Sequence, residues 1–453
     1  MKLNRSMTLP TLLTHEGGNA TRTSTYDELR RSVLTCMMWE NSFYEKGSSI
    51  AKRIAKLMPQ VAPEKVAALA VQARSEMQLR HVPLFLVSEL SKVKGQGQLV
   101  ERTLDAVIQR PDELTEFLAI YWKNGKHPIA AAAKRGLASA FTKFNEYSLA
   151  KYNQDGIVKL RDVLFLSHAK PKDSEQAELW KRLVNKQLAT PDTWETQLSA
   201  GADKRETFER LLREKKLGGL ATLRNLRNMQ QAGVDETLIR ERLAAGCERA
   251  LPFRFIAAAK HAPKFEDAIE QAMLVAIRQQ PQLKGRTLLV VDTSGSMRGM
   301  LSSKSELSRL DAACGLSILI REVCEVPTIY ATAGDDRLRK HATSVIAPRH
   351  GFALSEAVQN NGLGGGGIFF TQCLEAIEAS EPKPFDRVIV FTDEQDCDRG
   401  GKPASAAPKL APHNYVVNIS VEQNGVSYRN GWNHIDGWSE RVIDYIQEFE
   451  KEA

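Results

Sequence analysis

The chain has 453 residues, 42% of them hydrophobic and 26% charged, a balance that fits a folded globular protein of two or three domains. Disordered, collagen-like and disulfide-scaffold classes are excluded. Apolar runs such as 288–291 and 388–391 are far shorter than the roughly 18 residues of a membrane helix, and residues 1–18 lack the apolar stretch of a secretory signal. A cytoplasmic protein without membrane association is expected.

The net charge of +7 is unevenly spread. Residues 1–285 hold 45 Lys and Arg against 32 Asp and Glu, whereas residues 286–453 hold 17 against 23. A basic excess confined to one module suits a polyanion, because each phosphate neutralised releases counterions. The competing explanation is a long helical domain with solvated basic faces. Cys36, Cys247, Cys314, Cys324, Cys373 and Cys397 form no Cys-x-x-Cys pair and the nine histidines are dispersed, so a zinc site is not expected and reduced core thiols are.

In chain order, apolar residues recur at helical spacing over 26–279, as in Ile50, Ile54 and Leu57, with breaks at Met58-Pro59, Gly95 to Gly97, Arg110-Pro111 and His127-Pro128. About fourteen helices without a strand are predicted, stacked as antiparallel pairs in a superhelix. After Lys284-Gly285 the pattern changes. Runs at 287–291, 326–331, 387–391 and 415–421 read as buried strands, and 307–323, 372–379 and 439–450 as helices. The alternation predicts a mainly parallel, doubly wound α/β sheet over 286–453, behind a helical domain over 1–285. The fold class is therefore α plus α/β.

The first of these strands runs into Asp292-Thr293-Ser294-Gly295-Ser296, which sets one carboxylate and two hydroxyls at alternating positions of a tight loop. Such oxygens suit a hard divalent cation, most simply Mg²⁺. The strand at 387–391 ends in Thr392-Asp393, and a parallel sheet places Asp393 beside the first loop. Between them a glycine run, Gly362 to Gly367 apart from Leu363, leads through Ile368-Phe369-Phe370 to Thr371. No Gly-Lys-Ser/Thr follows, so this is not a phosphate loop. Thr371 reads as a helix N-cap that also faces the metal, or as a plain cap. No catalytic constellation is assembled: two carboxylates are fewer than two-metal phosphodiesterases gather, and binding without chemistry is expected.

Asp292-x-Ser294-x-Ser296 with a later Thr371 and Asp393 resembles the metal-ion-dependent adhesion site of the von Willebrand factor A domain. The resemblance implies that these five residues hold the cation and that an acidic group of a partner completes its coordination. The second loop departs from the family's Gly-Gly-Thr by interposing Ile368-Phe369-Phe370.

In the helical part, Leu149-Ala150-Lys151-Tyr152 and then Leu160-Arg161-Asp162-Val163-Leu164-Phe165-Leu166-Ser167-His168-Ala169-Lys170-Pro171 resemble the most characteristic segment of the Ro autoantigen family, the TROVE domain. Met38-Trp39-Glu40, Arg80-His81-Val82-Pro83 and 223–229 add to the resemblance. It implies a ring of HEAT-type helices closed by the A domain around a basic hole. Single-stranded 3′ ends of misfolded noncoding RNAs would enter the hole while Y RNA-like partners bind outside, with polynucleotide phosphorylase tethered through such an RNA. It also implies Lys151 and His168 as Y RNA contacts. A third family contact, an Arg four residues after that Lys, falls on Asp155 here, where an acidic side chain repels phosphate.

The residues themselves agree in outline. Lys134, Arg135, Lys143, Lys151, Lys159, Arg161 and Lys170 face only Glu146, Asp155 and Asp162 in one segment, an excess able to follow a phosphate backbone. Tyr147 and Tyr152 are interleaved, with buried packing favoured over base stacking. Arg224 and Arg227, at i and i+3, suit a basic channel or a solvated face. His168 is an RNA donor or an interior histidine. An RNA-binding scaffold without DNA preference is the first reading. A metal-dependent platform for an acidic protein is the second, and salt dependence against chelator sensitivity separates them.

Overall fold

The computed structural model describes residues 13–18, 20, 24–34, 47–153, 155–247, 250, 252–278, 280, 282–398, 407–420, 425, 432–437 and 442–452. Cys36, Met38, Trp39, Glu40, Val421 and Ser439, which figure in the readings above, lie outside them.

The helical part opens with α1 (Thr25–Leu34), α2 (Gly47–Leu57), α3 (Pro63–Ser75), α4 (His81–Leu90), α5 (Gly97–Val107) and α6 (Pro111–Tyr121). It continues with α7 (Ala131–Phe141), α8 (Glu146–Tyr152), α9 (Leu160–Ser167), α10 (Ser174–Val184) and α11 (Trp194–Ser199). Then follow α12 (Lys204–Arg213), α13 (Gly219–Gln231), α14 (Glu236–Ala244), α15 (Pro252–His261) and α16 (Glu266–Ile277). Among the described residues sixteen helices thus stand where about fourteen were predicted. Helices α8 and α11, of seven and six residues, are too short for a 3.6-residue period to register.

Sequence sets the helix ends. Pro63 and Pro111 open α3 and α6, where a missing N–H costs nothing. Asn145, Asp173, Thr193 and Asp203 each accept a hydrogen bond from a backbone N–H of the first turn that follows. The predicted stripe Ile50, Ile54 and Leu57 is buried. Helix α4 is apolar almost all round because α3, α5 and α6 all pack against it. Helix α7 lies close on α5 at Gly136, where a Cβ would stand 2.9 Å from the Leu104 Cβ and 3.0 Å from the Glu101 carbonyl oxygen. Helix α9 in turn packs on α6 and α7, the neighbour-on-neighbour contact of a helical stack.

The sheet part runs β1 (Leu283–Asp292), α17 (Arg309–Val323), β2 (Cys324–Asp335), β3 (Lys340–Ile346), α18 (Gly351–Gln359) and α19 (Phe370–Ser380). It ends with β4 (Arg387–Thr392), β5 (His413–Asn418), β6 (Trp432–Asp436) and α20 (Val442–Glu452). Six strands form one sheet in the order β3-β2-β1-β4-β5-β6, parallel except for β3. The α plus α/β class is as read from the sequence. Strands β3 and β6 and helix α18 escaped it: β3 is a half-exposed antiparallel edge and β6 carries Asn433 and His434 among its five residues, so neither presents the continuous apolar run of a buried strand. One face of the sheet buries Leu288, Val290, Val388, Val390 and Val416 against Phe370 and Ile377 of α19. Strand alternation sends Leu289, Val291, Ile389 and Phe391 to the other face, where they are also buried.

The chain divides into two compact units, one of 36–39 and 47–242, the other of 1–35, 40–46 and 243–453. The sequence pattern suggested a division at 285/286. Helices α15 and α16 go with the sheet because they lie on α17 and α18. Gly315 of α17 comes so near α15 that a Cβ there would be 3.2 Å from the Phe253 nitrogen, Lys260 reaches Asp311 at 2.7 Å, and Glu270 accepts from the Phe352 N–H at 2.7 Å. Helix α1 joins the same unit through β6.

A candidate metal centre and a candidate nucleic-acid interface

The strand order reverses between β1 and β4, and in such sheets ligands collect at the carboxyl ends on either side of that point. Val291 pairs with Phe391 in register, so Asp292 and Thr392 leave the two strands side by side. Asp292 is fully buried. Its Oδ1 accepts from the Ser294 N–H at 2.8 Å and its Oδ2 from the Thr392 hydroxyl at 2.7 Å. Burial, followed by the neighbouring Asp393 carboxylate, pushes its carboxyl up to about 7. The Ser294 and Ser296 hydroxyls stand 3.2 Å apart.

The glycine run folds over this loop. A Cβ on Gly295 would come 2.7 Å from the Gly365 carbonyl oxygen, and one on Gly366 would come 2.2 Å from that of Gly334. Thr371 is the second residue of α19, not its cap. The buried Phe369 and Phe370 start the helix earlier, and the Asp396 carboxylate accepts from the Phe370 N–H at 3.3 Å. The Thr371 hydroxyl is buried and has no hydrogen-bond partner among the described residues. A buried, unsatisfied hydroxyl is costly and calls for a ligand.

Asp393 is buried in an ion pair with Arg309 of α17, Nη1 to Oδ2 at 2.8 Å, and both side chains are almost wholly inaccessible. The sequence reading missed Arg309. Its signal is one arginine in the first turn of a helix whose next turns are Ala-Ala-Cys-Gly-Leu. Among the described residues no group of three or more His, Cys, Asp or Glu gathers for a metal, so a cation here would depend on hydroxyl oxygens. Asp292, Ser294, Ser296, Thr371 and Asp393 fit a hard cation in donor chemistry.

A second charged cluster adjoins the first. Glu394, buried with a left-handed φ of 60°, binds Arg31 of α1 and His434 of β6, and His434 Nδ1 lies 3.3 Å from Asp436. Burial opposes charge on His434, but Glu394 and Asp436 outweigh it and lift the imidazole to about 9. Burial likewise opposes charge on Asp436, and His434 outweighs it, holding the carboxyl near 2. Beside them the Thr14 hydroxyl and the Gly18 N–H donate to the Asp396 carbonyl at 2.8 and 3.0 Å. The only sequence signal was the acidic run Asp393, Glu394, Asp396, Asp398. Cys314 and Cys397 are buried thiols pushed up to about 12, and Cys324 and Cys373 to about 11, by burial.

In the helical unit the ten residues read as facing RNA fall into two groups, with Lys159 among those already engaged, through Asp155 at 2.6 Å. Arg135 pairs with Glu101 at 2.6 Å, Arg161 approaches Asp162 at 3.7 Å, and Lys143 binds the carbonyls of Asp105 and Ile108 at the end of α5. Lys143 thus completes a helix terminus. Lys134, Lys151, His168, Lys170, Arg224 and Arg227 have no ion-pair partner among the described residues, and all but the half-buried Lys134 and Lys151 are exposed. His168 is the left-handed C-cap of α9, φ 55°, which turns it out to solvent and removes the interior alternative. Tyr147 is 54% exposed, against the packing role favoured for it, whereas Tyr152 is half-buried beneath the Arg110 guanidinium at 4.5 Å. Asp155 is tied to Lys159 at 2.6 Å, which holds its carboxyl below the usual range.

A helical stack followed by a mainly parallel sheet with an oxygen-lined loop at its switch point defines a protein of the α plus α/β class. A family model of the TROVE domain matches residues 8–189 and 173–360. The chain belongs to the TROVE domain family, an RNA-binding family. The crystal structure of the Ro (RSR) protein of Deinococcus radiodurans is similar to it with a TM-score of 0.59 and 18% identity, over 95% of this chain and all of that one. The resemblance read from 149–171 is borne out.

Proposed function

We propose that this protein is a scaffold for noncoding RNA quality control. It holds a Y RNA-like partner on an outer surface and accepts single-stranded 3′ ends of misfolded RNAs in the hole the resemblance implies. Degradation would come from a tethered nuclease such as polynucleotide phosphorylase. The observation that carries the reading is the set of basic side chains without ion-pair partners among the described residues, Lys134, Lys151, Lys170, Arg224 and Arg227, with the exposed His168, together with the family. Backbone charge and unpaired-strand shape would supply affinity with little base readout.

The second reading, a metal-dependent platform for an acidic protein, is favoured by the unsatisfied Thr371 hydroxyl, and both can hold for one molecule. When bound, Mg²⁺ would offer a Lewis-acidic position to a partner's carboxylate. The chain's own residues prepare that place: Thr392 and the Ser294 N–H orient the Asp292 carboxylate, and Arg309 fixes Asp393. No described helix is long and apolar enough to cross a membrane.

The test is equilibrium binding of a structured RNA with and without a single-stranded 3′ tail, titrated with salt and repeated in chelator. Tail-dependent affinity that falls linearly in log affinity against log salt, unchanged by chelator, is expected. Lys151→Ala and His168→Ala should weaken the Y-type RNA more than the tail. No binding at low salt would refute the RNA reading.

A further inference from the structure

The charges buried at the ends of β1 and β4 do not balance as a self-sufficient site for a divalent cation requires. Asp292 and Asp393 bring two negative charges, and the hydroxyls of Ser294, Ser296 and Thr371 are neutral. Arg309 sets one positive charge directly against Asp393, Nη1 to Oδ2 at 2.8 Å, with 2% and 0% of the two side chains exposed. The other oxygen of Asp393 accepts from the Gln395 N–H at 3.3 Å. Neighbouring carboxylates have partners of their own: Glu394 has Arg31 and His434, Asp311 has Lys260 at 2.7 Å, and Asp396 accepts from the N–H groups of Phe370 and Asp398. The oxygen cluster as folded therefore carries one net negative charge.

A divalent cation entering that cluster would turn one negative charge into one positive charge. Burying an uncompensated charge is costly, and the guanidinium, fixed in its ion pair, repels the incoming cation. Without Arg309 the two carboxylates would neutralise the cation, and the place would fill by itself. With Arg309, one anion is missing. Among the described residues no third carboxylate joins Asp292 and Asp393, so the missing charge has to arrive with a ligand. Asp292, Ser294, Thr371 and Asp393 are buried, whereas Gly295, Gly364 and Gly365 are exposed and Ser296 is half-buried. An anion thus reaches the cluster over the glycines beside Ser296, where no side chain stands in its way.

We infer that Arg309 governs how the cation site fills: the cluster takes a divalent cation weakly by itself, and firmly only together with a carboxylate from a partner. This rests on the metal-dependent reading above and deepens it, because the need for an acidic partner follows from the chain's own charge. The coupling is reciprocal, so the partner's carboxylate is held firmly only where the cation is present. Arg309 is a positioning residue: it acts through Asp393 and through its field. It also keeps two buried carboxylates from facing each other uncompensated while no cation is bound.

The experiment uses the full chain and Mn²⁺, a paramagnetic probe that accepts octahedral oxygen ligands as Mg²⁺ does, with free Mn²⁺ read by electron paramagnetic resonance. Titrations run in sodium chloride and in sodium acetate at equal ionic strength, corrected for the Mn²⁺ that acetate itself binds. In the parent protein acetate should tighten Mn²⁺ binding by about 5- to 150-fold, the usual span of coupling between two ligands. Arg309→Gln should bind Mn²⁺ in chloride at least about tenfold more tightly than the parent does, and lose the acetate effect. Arg309→Lys keeps the charge and should behave as the parent, which separates charge from packing. Equal Mn²⁺ affinity of the parent in the two salts would overturn the inference without any variant having to fold. So would a folded Arg309→Gln that binds no more tightly, or an Arg309→Lys that follows Arg309→Gln. Mn²⁺ bound in neither salt, by the parent or by Arg309→Gln, would overturn the cation reading itself and the inference with it.

Discussion

The end of the sheet and the outer face of α7 to α9 carry comparable numbers of charges, but they hold them under opposite physical terms. At the sheet end the charges are buried and matched: Asp393 with Arg309, and Glu394 with Arg31 and His434. On the helical face the pairs Arg135–Glu101, Arg161–Asp162 and Lys159–Asp155 stand in or near solvent. A buried charge that loses its partner is left in a medium that cannot solvate it, whereas a surface charge exchanges its partner for water or phosphate at little cost. The sheet end therefore holds its charges in one fixed arrangement, and the helical face holds contacts that can be exchanged.

The most severe way to break that contrast is at the buried pair. Arg309→Leu leaves Asp393 uncompensated beside Asp292 and should lower stability by about 3–5 kcal/mol, read as the urea midpoint of unfolding in chelator. If the oxygen cluster takes a cation, Mg²⁺ supplies positive charge at the same spot, and the loss should be visibly smaller with Mg²⁺ than in chelator. An equal loss in both would remove the cation from the account. The equivalent removal on the helical face, Arg135→Ala, should leave the midpoint close to that of the parent, because the partner Glu101 turns to water.

The two regions also differ in how far the sequence revealed them. The oxygen-lined loop was legible because a local string, Asp292 to Ser296, ends a recognisable strand, and because parallel strand ends must converge. Its neutralising partner was not, since Arg309 comes from a helix after the loop and only the packing of α17 brings it to Asp393. Arg31 was hidden for the same reason: it is hundreds of residues from Glu394 and His434, and nothing local in 25–34 separates a buried arginine from a solvated one. On the helical face the positions of the cations were legible but not their occupation. Composition counts Lys143 as a free cation, while the fold uses it to close α5. The helices themselves were clear wherever an apolar stripe ran three turns, and blurred at α8 and α11, where it did not.

The second buried cluster makes the contrast a function of pH. His434 is lifted to about 9 from an ordinary value near 6.5, so its contribution is complete below about 6.5 and is lost as pH rises through about 9. Asp436, held near 2, contributes fully above its ordinary value near 4 and is lost as pH falls through about 2. The cluster should therefore stabilise most between about pH 4 and 6.5. In urea unfolding, His434→Gln should fall furthest below the parent in that window, and the gap should close by about pH 9 to 10. A gap that does not change between pH 6 and 10 would mean that His434 packs there without its charge.

The smallest effect sharpens the other side. Asp155→Asn removes a carboxylate that is wholly in solvent, so the thermal melt should not move. Lys159 is then released, and one opposing charge leaves its surroundings. Salt dependence of RNA affinity counts cations that meet phosphate, at about 0.7 in slope for each on a single strand. If Asp155 withholds Lys159 from phosphate, the slope should steepen by up to that amount, with tighter binding at low salt. If it positions Lys159 for phosphate, the slope stays the same or flattens while low-salt affinity rises only through lost repulsion. The sign of the slope change thus decides whether the acidic residue at the place of the family's arginine weakens the face or organises it.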